Sequence, residues 1–155
     1  MCSNVKPGGW VELQDFDLDI QSDNDNSDDA PPSHSNSGSN SDLAVFQWVK
    51  IIIETAKSIE RDPSPGPGLE GWMQAAGFID VTHRVFKIPL GGWPEDPELQ
   101  EIGYLYLAQT LEGMEGFSLR LMCGVLGWDL ERVRELLARV RKDLMTRRLR
   151  LKMDL

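Results

Sequence analysis

Apolar positions first gather just after a turn. Trp10, Val11 and Leu13 make a short run of strand-forming type, which predicts a first strand over residues 9–16. Pro7 presets φ for the first central position of the turn before it, and Gly8 can take a positive φ at the second. Residues 17–41 are then rich in Ser, Asn, Asp, Gly and Pro. Such a stretch cannot bury enough surface to offset its chain entropy, so a disordered acidic loop is expected there.

The pattern next turns helical. Phe46, Trp48, Val49, Ile51, Ile52, Ile53, Ala56 and Ile59 leave only a narrow polar stripe of Gln47, Lys50, Glu54, Lys57 and Ser58. A face this wide suits a helix over residues 43–61 packed on a sheet, with Asp42 placed to cap it. The run Asp62-Pro63-Ser64-Pro65-Gly66-Pro67-Gly68 stops it. A short helix over 69–76 ends at Gly77, and residues 78–88 read as a strand. Three helices follow, over 98–112, 117–126 and 130–148. In the last, Asp129 is the N-cap, Trp128 can staple onto Val133, and Val133, Leu136, Leu137, Val140 and Leu144 form the buried seam. Glu135 and Arg139 are spaced to pair outside it. Residues 149–155 alternate strictly, which favours a strand with one buried face; a continued helix is the alternative.

A Lys-Pro-Gly-Gly turn feeding a strand usually joins a helix to a late strand of an open α/β sheet. Six residues precede Pro7. The chain therefore reads as the back half of a larger α/β domain, a single partial domain over 1–155 with the helical stretch 98–148 as a cap.

Charge changes this picture little. The net charge is −9, but nine of the 25 acids fall between Pro7 and Val49, where there is no Lys or Arg. The rest of the chain is balanced against its 16 bases. The acidity thus belongs to one segment and says little about the fold or partners of the remainder, while the acidic balance of the chain as a whole weighs against nucleic-acid binding. Cys2 and Cys123 make no framework, and no apolar leader or spanning segment is visible. An intracellular, cytoplasmic or nuclear, protein without membrane contact is expected.

Candidate chemistry is sparse. Gly66-Pro67-Gly68-Leu69-Glu70-Gly71 has the spelling of a dinucleotide fingerprint, but it follows a helix and Pro67 removes an amide, so a helix stop is the simpler reading. Residues 23–34 begin like a calcium loop but carry Asp28 where Gly belongs and His34 where Glu belongs. His34 and His83 have no second ligand at a useful spacing, and no metal is expected. Arg147, Arg148, Arg150 and Lys152 read as a solvated basic face. The run Pro89-Leu90-Gly91-Gly92-Trp93-Pro94 directly follows a strand. If the two earlier strands are parallel neighbours, Gln14-Asp15 and Gly91-Trp93 emerge at the same sheet edge, where α/β proteins bind ligands. A structural turn plugged by Trp93 is the competing reading.

Six segments, VKPGGWVELQDFD (5–17), LEGWMQAAGFIDV (69–81), KIPLGGWPED (87–96), LQEIG (99–103), LEGMEGFSL (111–119) and LLARVRKDL (136–144), together resemble the C-terminal half of fungal S-adenosylmethionine-dependent methyltransferases of the LaeA-like (TAM-like) group. The resemblance implies an α/β fold: an incomplete Rossmann-like class I methyltransferase sheet, reduced to its last three strands, with a helical insertion between the last two. It implies S-adenosylmethionine as the parent family's cofactor. The Gly-rich first motif and the ribose-binding acid have no matching position here, so no cofactor-binding residue is assigned and the chain alone is expected not to bind the donor or to be active. Gln14, Asp15, Trp93 and Pro94 are the acceptor-side candidates, facing an unidentified small-molecule or protein methyl acceptor. A protein partner on apolar surface left by the missing half is the further expectation, and a non-catalytic regulatory protein derived from a methyltransferase the alternative.

Overall fold

A computed structural model of the chain describes residues 5–22 and 42–155. The calcium-like run, His34, Cys2 and most of the acidic loop lie outside the described residues. The elements are β1 (Asp17–Ser22), α1 (Ala44–Ser58), α2 (Leu69–Ala75), β2 (Lys87–Pro89), α3 (Pro97–Met122), α4 (Leu130–Leu144) and β3 (Leu151–Asp154). The result is an α/β fold with a three-stranded sheet in the order β1-β3-β2. β3 runs antiparallel to both neighbours, pairing Ser22 with Leu151 on one side and Ile88 with Met153 on the other. β1 and β2 therefore point the same way, with β3 between them rather than side by side.

The first strand is displaced from its expected place. The Pro7 turn forms, with Gly8 at φ +77° and the Gly9 amide on the Lys6 carbonyl at 2.9 Å. Residues 9–16 nevertheless make no strand, and Trp10 is 92% exposed. The strand lies at Asp17–Ser22, inside the stretch expected to be disordered. The reason is periodicity: Leu18, Ile20 and Ser22 alternate onto the sheet face that Leu151 and Met153 bury, and two apolar residues at the right phase suffice in an acidic run. Likewise, of the strand expected over 78–88, only Lys87 and Ile88 fall in a strand, β2.

α1 begins without help from Asp42. Its N-cap is Leu43, which makes no side-chain bond, and the Val45 amide instead donates to Asp143 Oδ2 of α4 at 3.2 Å. An orphan helix-end donor is thus satisfied from another helix. The two middle helices expected over 98–112 and 117–126 are one 26-residue helix, α3. Gly113 and Gly116 each weaken a helix, but Met114 and Ser118 beside them are fully buried, and that packing carries the helix through. α4 has the expected cap, Asp129 Oδ1 accepting from the Arg132 amide at 2.8 Å, and the expected seam is buried. Its ion pairs differ from expectation. Arg134 and Arg141 both reach Glu115 of α3, so they join helices instead of pairing along one. The last segment is a strand, entered through a 3-10 turn at Arg147–Leu149.

One apolar cluster holds these parts together. It takes Val45, Trp48, Val49 and Ile52 from α1, Met114 and Met122 from α3, Val133, Leu137 and Val140 from α4, and Ile20, Leu151 and Met153 from the sheet. Its burial is the main stabilising contribution.

Candidate functional site

The loop after β2 is buried and held by several hydrogen bonds. Pro89, Leu90, Gly91, Gly92 and Pro94 are all buried. The Leu151 carbonyl accepts twice, from the Leu90 amide and from the Trp93 indole Nε1, both at 2.8 Å. Gly91, at φ +105°, donates its amide to the Gly103 carbonyl of α3 at 3.0 Å. That approach needs a bare Gly103, because a Cβ there would strike the Gly91 carbonyl oxygen. Gln100 Nε2 closes the loop on the Pro94 carbonyl at 2.6 Å, and Asp96 Oδ1 caps α3 through the Glu98 and Leu99 amides. The sequence places each of these partners, Gly-Gly for close approach and Asp-Pro for a helix start.

Trp93 stands half-buried on this base. Its indole N–H is committed to the sheet while its ring face receives the Arg150 guanidinium 5.0 Å from the centroid, within cation–π range. Arg150 sits at φ 44°, a left-handed conformation unfavourable for a residue with a side chain. The signal for this pairing was the aromatic after Gly-Gly and the basic run before the last strand. Sequence alone could not bring the two together.

Gln14 and Asp15 do not join Trp93 and Pro94. They precede β1, whose first residue Asp17 pairs with Asp154. Trp93 and Pro94 follow β2, whose last residue Pro89 pairs with Lys152. Since β1 and β2 run the same way, the two pairs of candidates lie at opposite ends of the strands. The expectation of a shared edge fails because one pair was taken to follow a strand that it precedes. Gln14 Nε2 donates to Glu12 at 2.7 Å, and Asp15 Oδ1 accepts from the Phe16 amide at 2.8 Å; both are exposed.

Near that end lie two groups the sequence did not single out. Asp154 Oδ1 is buried with no hydrogen-bond partner among the described residues. Tyr106 of α3 packs its ring 5.9 Å from Phe16 and its hydroxyl 4.0 Å from Met153 Sδ, and burial pushes its pKa up to about 12. His83 lies 3.7 Å from Glu70 Oε2.

The Gly66–Gly71 run offers no cofactor cradle. It forms a 3-10 turn leading into α2, and Gly68 is closed against the Trp72 ring.

Comparison with known proteins decides the family. The chain is 36% identical over 143 residues to methyltransferase pytC of Aspergillus terreus, an overlap of 92% of this chain. The chain belongs with the fungal methyltransferases of the LaeA-like group. Probable methyltransferase tdiE of Emericella nidulans is 32% identical over the same share of the chain, and secondary metabolism regulator LAE1 of Cochliobolus heterostrophus 28% over 95% of it. The match takes in 40%, 41% and 45% of those proteins, so the chain spans about two fifths of the length of its curated relatives. No family profile and no solved structure matches. Among the described residues no helix is long and apolar enough to cross a membrane.

Proposed function

We propose that this chain is the acceptor-side portion of an S-adenosylmethionine-dependent methyltransferase-like protein. Its three strands are the last three of a class I sheet, with β3 entering between the other two. The observation that carries the reading is the likeness to pytC over nearly the whole chain. The donor's own grip belongs to the part of the relatives that lies outside the match, and the chain alone does not bind it. Transfer from a sulfonium to a nucleophile depends mainly on alignment in a dry site. The anchored loop 89–96 supplies a fixed wall for that purpose, with Trp93 and Pro94 as its acceptor-facing residues. The helices over 98–148 back this wall as packed core, without the freedom of a hinged lid. Gln14 and Asp15 stand at the far end of the strands and are the weaker candidates. The acceptor is a small molecule or a protein, and no nucleic-acid or membrane partner is assigned.

Isothermal titration with S-adenosylmethionine tests this reading. The subject is the chain alone and the chain fused behind the unmatched upstream part of pytC. Binding is expected in the fusion only. Heat from the short chain by itself overturns the division of labour.

A second reading is a non-catalytic regulatory protein, favoured by the likeness to LAE1 and by exposed Trp10, Ile79 and Trp72. A fusion that binds the donor yet transfers no methyl group to any offered acceptor would favour it.

A further inference from the structure

The run 62–68, a helix stop in the sequence, also holds the entry to β1. Ser64 stands in its irregular part, between the end of α1 and the 3-10 turn that leads into α2. Its hydroxyl makes two bonds at once. It accepts from the Leu18 amide at 2.6 Å and donates to Asp17 Oδ1 at 2.8 Å. The Ser64 amide in turn donates to Asp62 Oδ1 at 3.0 Å. Gly66 presses close as well, since a Cβ there would stand 3.3 Å from the Phe16 carbonyl oxygen.

These bonds matter because the sheet itself holds this end of β1 poorly. The ladder with β3 is broken between Asp17 and Gln21, and Asp17 faces Asp154 across it, two carboxylates directly opposite. Pairing resumes at Gln21 and Ser22, where the Ser22 hydroxyl donates to the Leu149 carbonyl at 2.7 Å. The first half of β1 therefore depends on Ser64, 46 positions along the chain from Leu18.

Ser64 is also the one Ser or Thr of the sequence that Pro follows. Proline-directed kinases read that dipeptide in irregular surface segments. Asp62 and Pro67 are exposed, Ser64 is half-buried, and the run stands outside the apolar cluster. Pro63 and Pro65 keep it out of regular structure.

We propose that Ser64 is a phosphorylation site for a proline-directed kinase and that its phosphate releases the first half of β1. The γ-phosphoryl group of ATP passes to Ser64 Oγ. The Oγ–P bond forms as the bond to ADP breaks, and the hydroxyl proton leaves to the kinase's base. The product has no hydroxyl to donate to Asp17. It instead sets a charge of about −1.5 to −2 between two carboxylates, Asp17 and Asp62. Repulsion favours the state in which Asp17 and Leu18 have left the turn, which is also the state a kinase can reach. This inference does not rest on methyl transfer.

The full chain, treated with ATP and a purified mitogen-activated protein kinase, tests it. Mass spectrometry should find phosphate on Ser64, sharply reduced in Pro65→Ala and absent from that position in Ser64→Ala. Hydrogen exchange then reads the release. Amides of 17–20 should exchange about tenfold or more faster in the phosphorylated chain, while those of α4 keep their rates. Asp17→Asn should restore most of the protection in the phosphorylated chain, because its amide can donate to the phosphate where a carboxylate only repels. High salt should restore part of it by screening. A chain that takes no phosphate at Ser64 overturns the proposal, as do amides at 17–20 that keep or lower their rate once the phosphate is there. Equal loss of protection in α4, or in phosphorylated Asp17→Asn, overturns it too, since either marks general loosening in place of repulsion at this turn.

Discussion

The hydrogen bond between Trp48 and Ser118 decides whether α3 is core or lid. Trp48 Nε1 donates to Ser118 Oγ at 2.8 Å, and the two residues are 2% and 0% exposed. Ser118→Ala removes one oxygen and opens almost no cavity. It leaves an indole N–H buried without an acceptor, which costs about 1–3 kcal/mol. For a chain of this size each kcal/mol lowers Tm by about 2–4 °C, so a cost of about 2 kcal/mol predicts a loss of roughly 4–8 °C. Trp48→Phe removes the donor and part of the ring, and is destabilising in its own right. The informative quantity is the cycle. Once the indole is gone, Ser118→Ala no longer strands a donor, so its cost should fall by about 1 kcal/mol or more. Urea unfolding followed by far-ultraviolet circular dichroism measures all four proteins, because fluorescence would change with loss of the tryptophan itself. The slope against urea should stay constant across the set. Equal costs of Ser118→Ala in both backgrounds would refute the reasoning, since α3 would then not be fastened to α1 through this bond.

Gly103→Ala should destabilise by about 1–3 kcal/mol, because the added methyl meets the Gly91 carbonyl and the loop must move; thermal melting reads it. Asp129→Ala should cost about 0.5–2 kcal/mol as a lost cap, whereas Asp42→Ala should be close to neutral because α1 takes its acceptor from Asp143; denaturant midpoints distinguish them. Tyr106 is raised to about 12 by burial, so the folded state keeps its proton where the unfolded chain, near 10, loses it. Its contribution is therefore present below about pH 10 and is lost as pH rises toward 12; Tyr106→Phe should remove that part of the alkaline decline.

Local chemistry was legible wherever a few neighbouring residues set the outcome. The Pro7-Gly8 turn, the Asp129 cap, the α4 seam, the stop at 62–68 and the final strand are decided within about one turn of chain, and each stands where the sequence puts it. So was the family, because ordered motifs survive in one sequence without any fold to show them. The acceptor-side residues were legible as types, an aromatic after Gly-Gly and a carboxylate near a strand, but not as a place. Whether Asp15 lies before or after its strand depends on where β3 offers a partner, and that partner is more than a hundred residues away. The same distance explains why residues 9–16 and most of 78–86 are not strand: β-propensity has effect only where a neighbouring backbone completes the ladder. It explains why two glycines did not break α3, whose helical state is held by Met114 and Ser118 against α1 and α4. The sequence by itself determined the turns, the caps, the faces of the helices and the kinship. Tertiary structure decided register, helix continuity and which candidates share a surface, because those depend on burial and pairing between segments that the chain's order keeps apart.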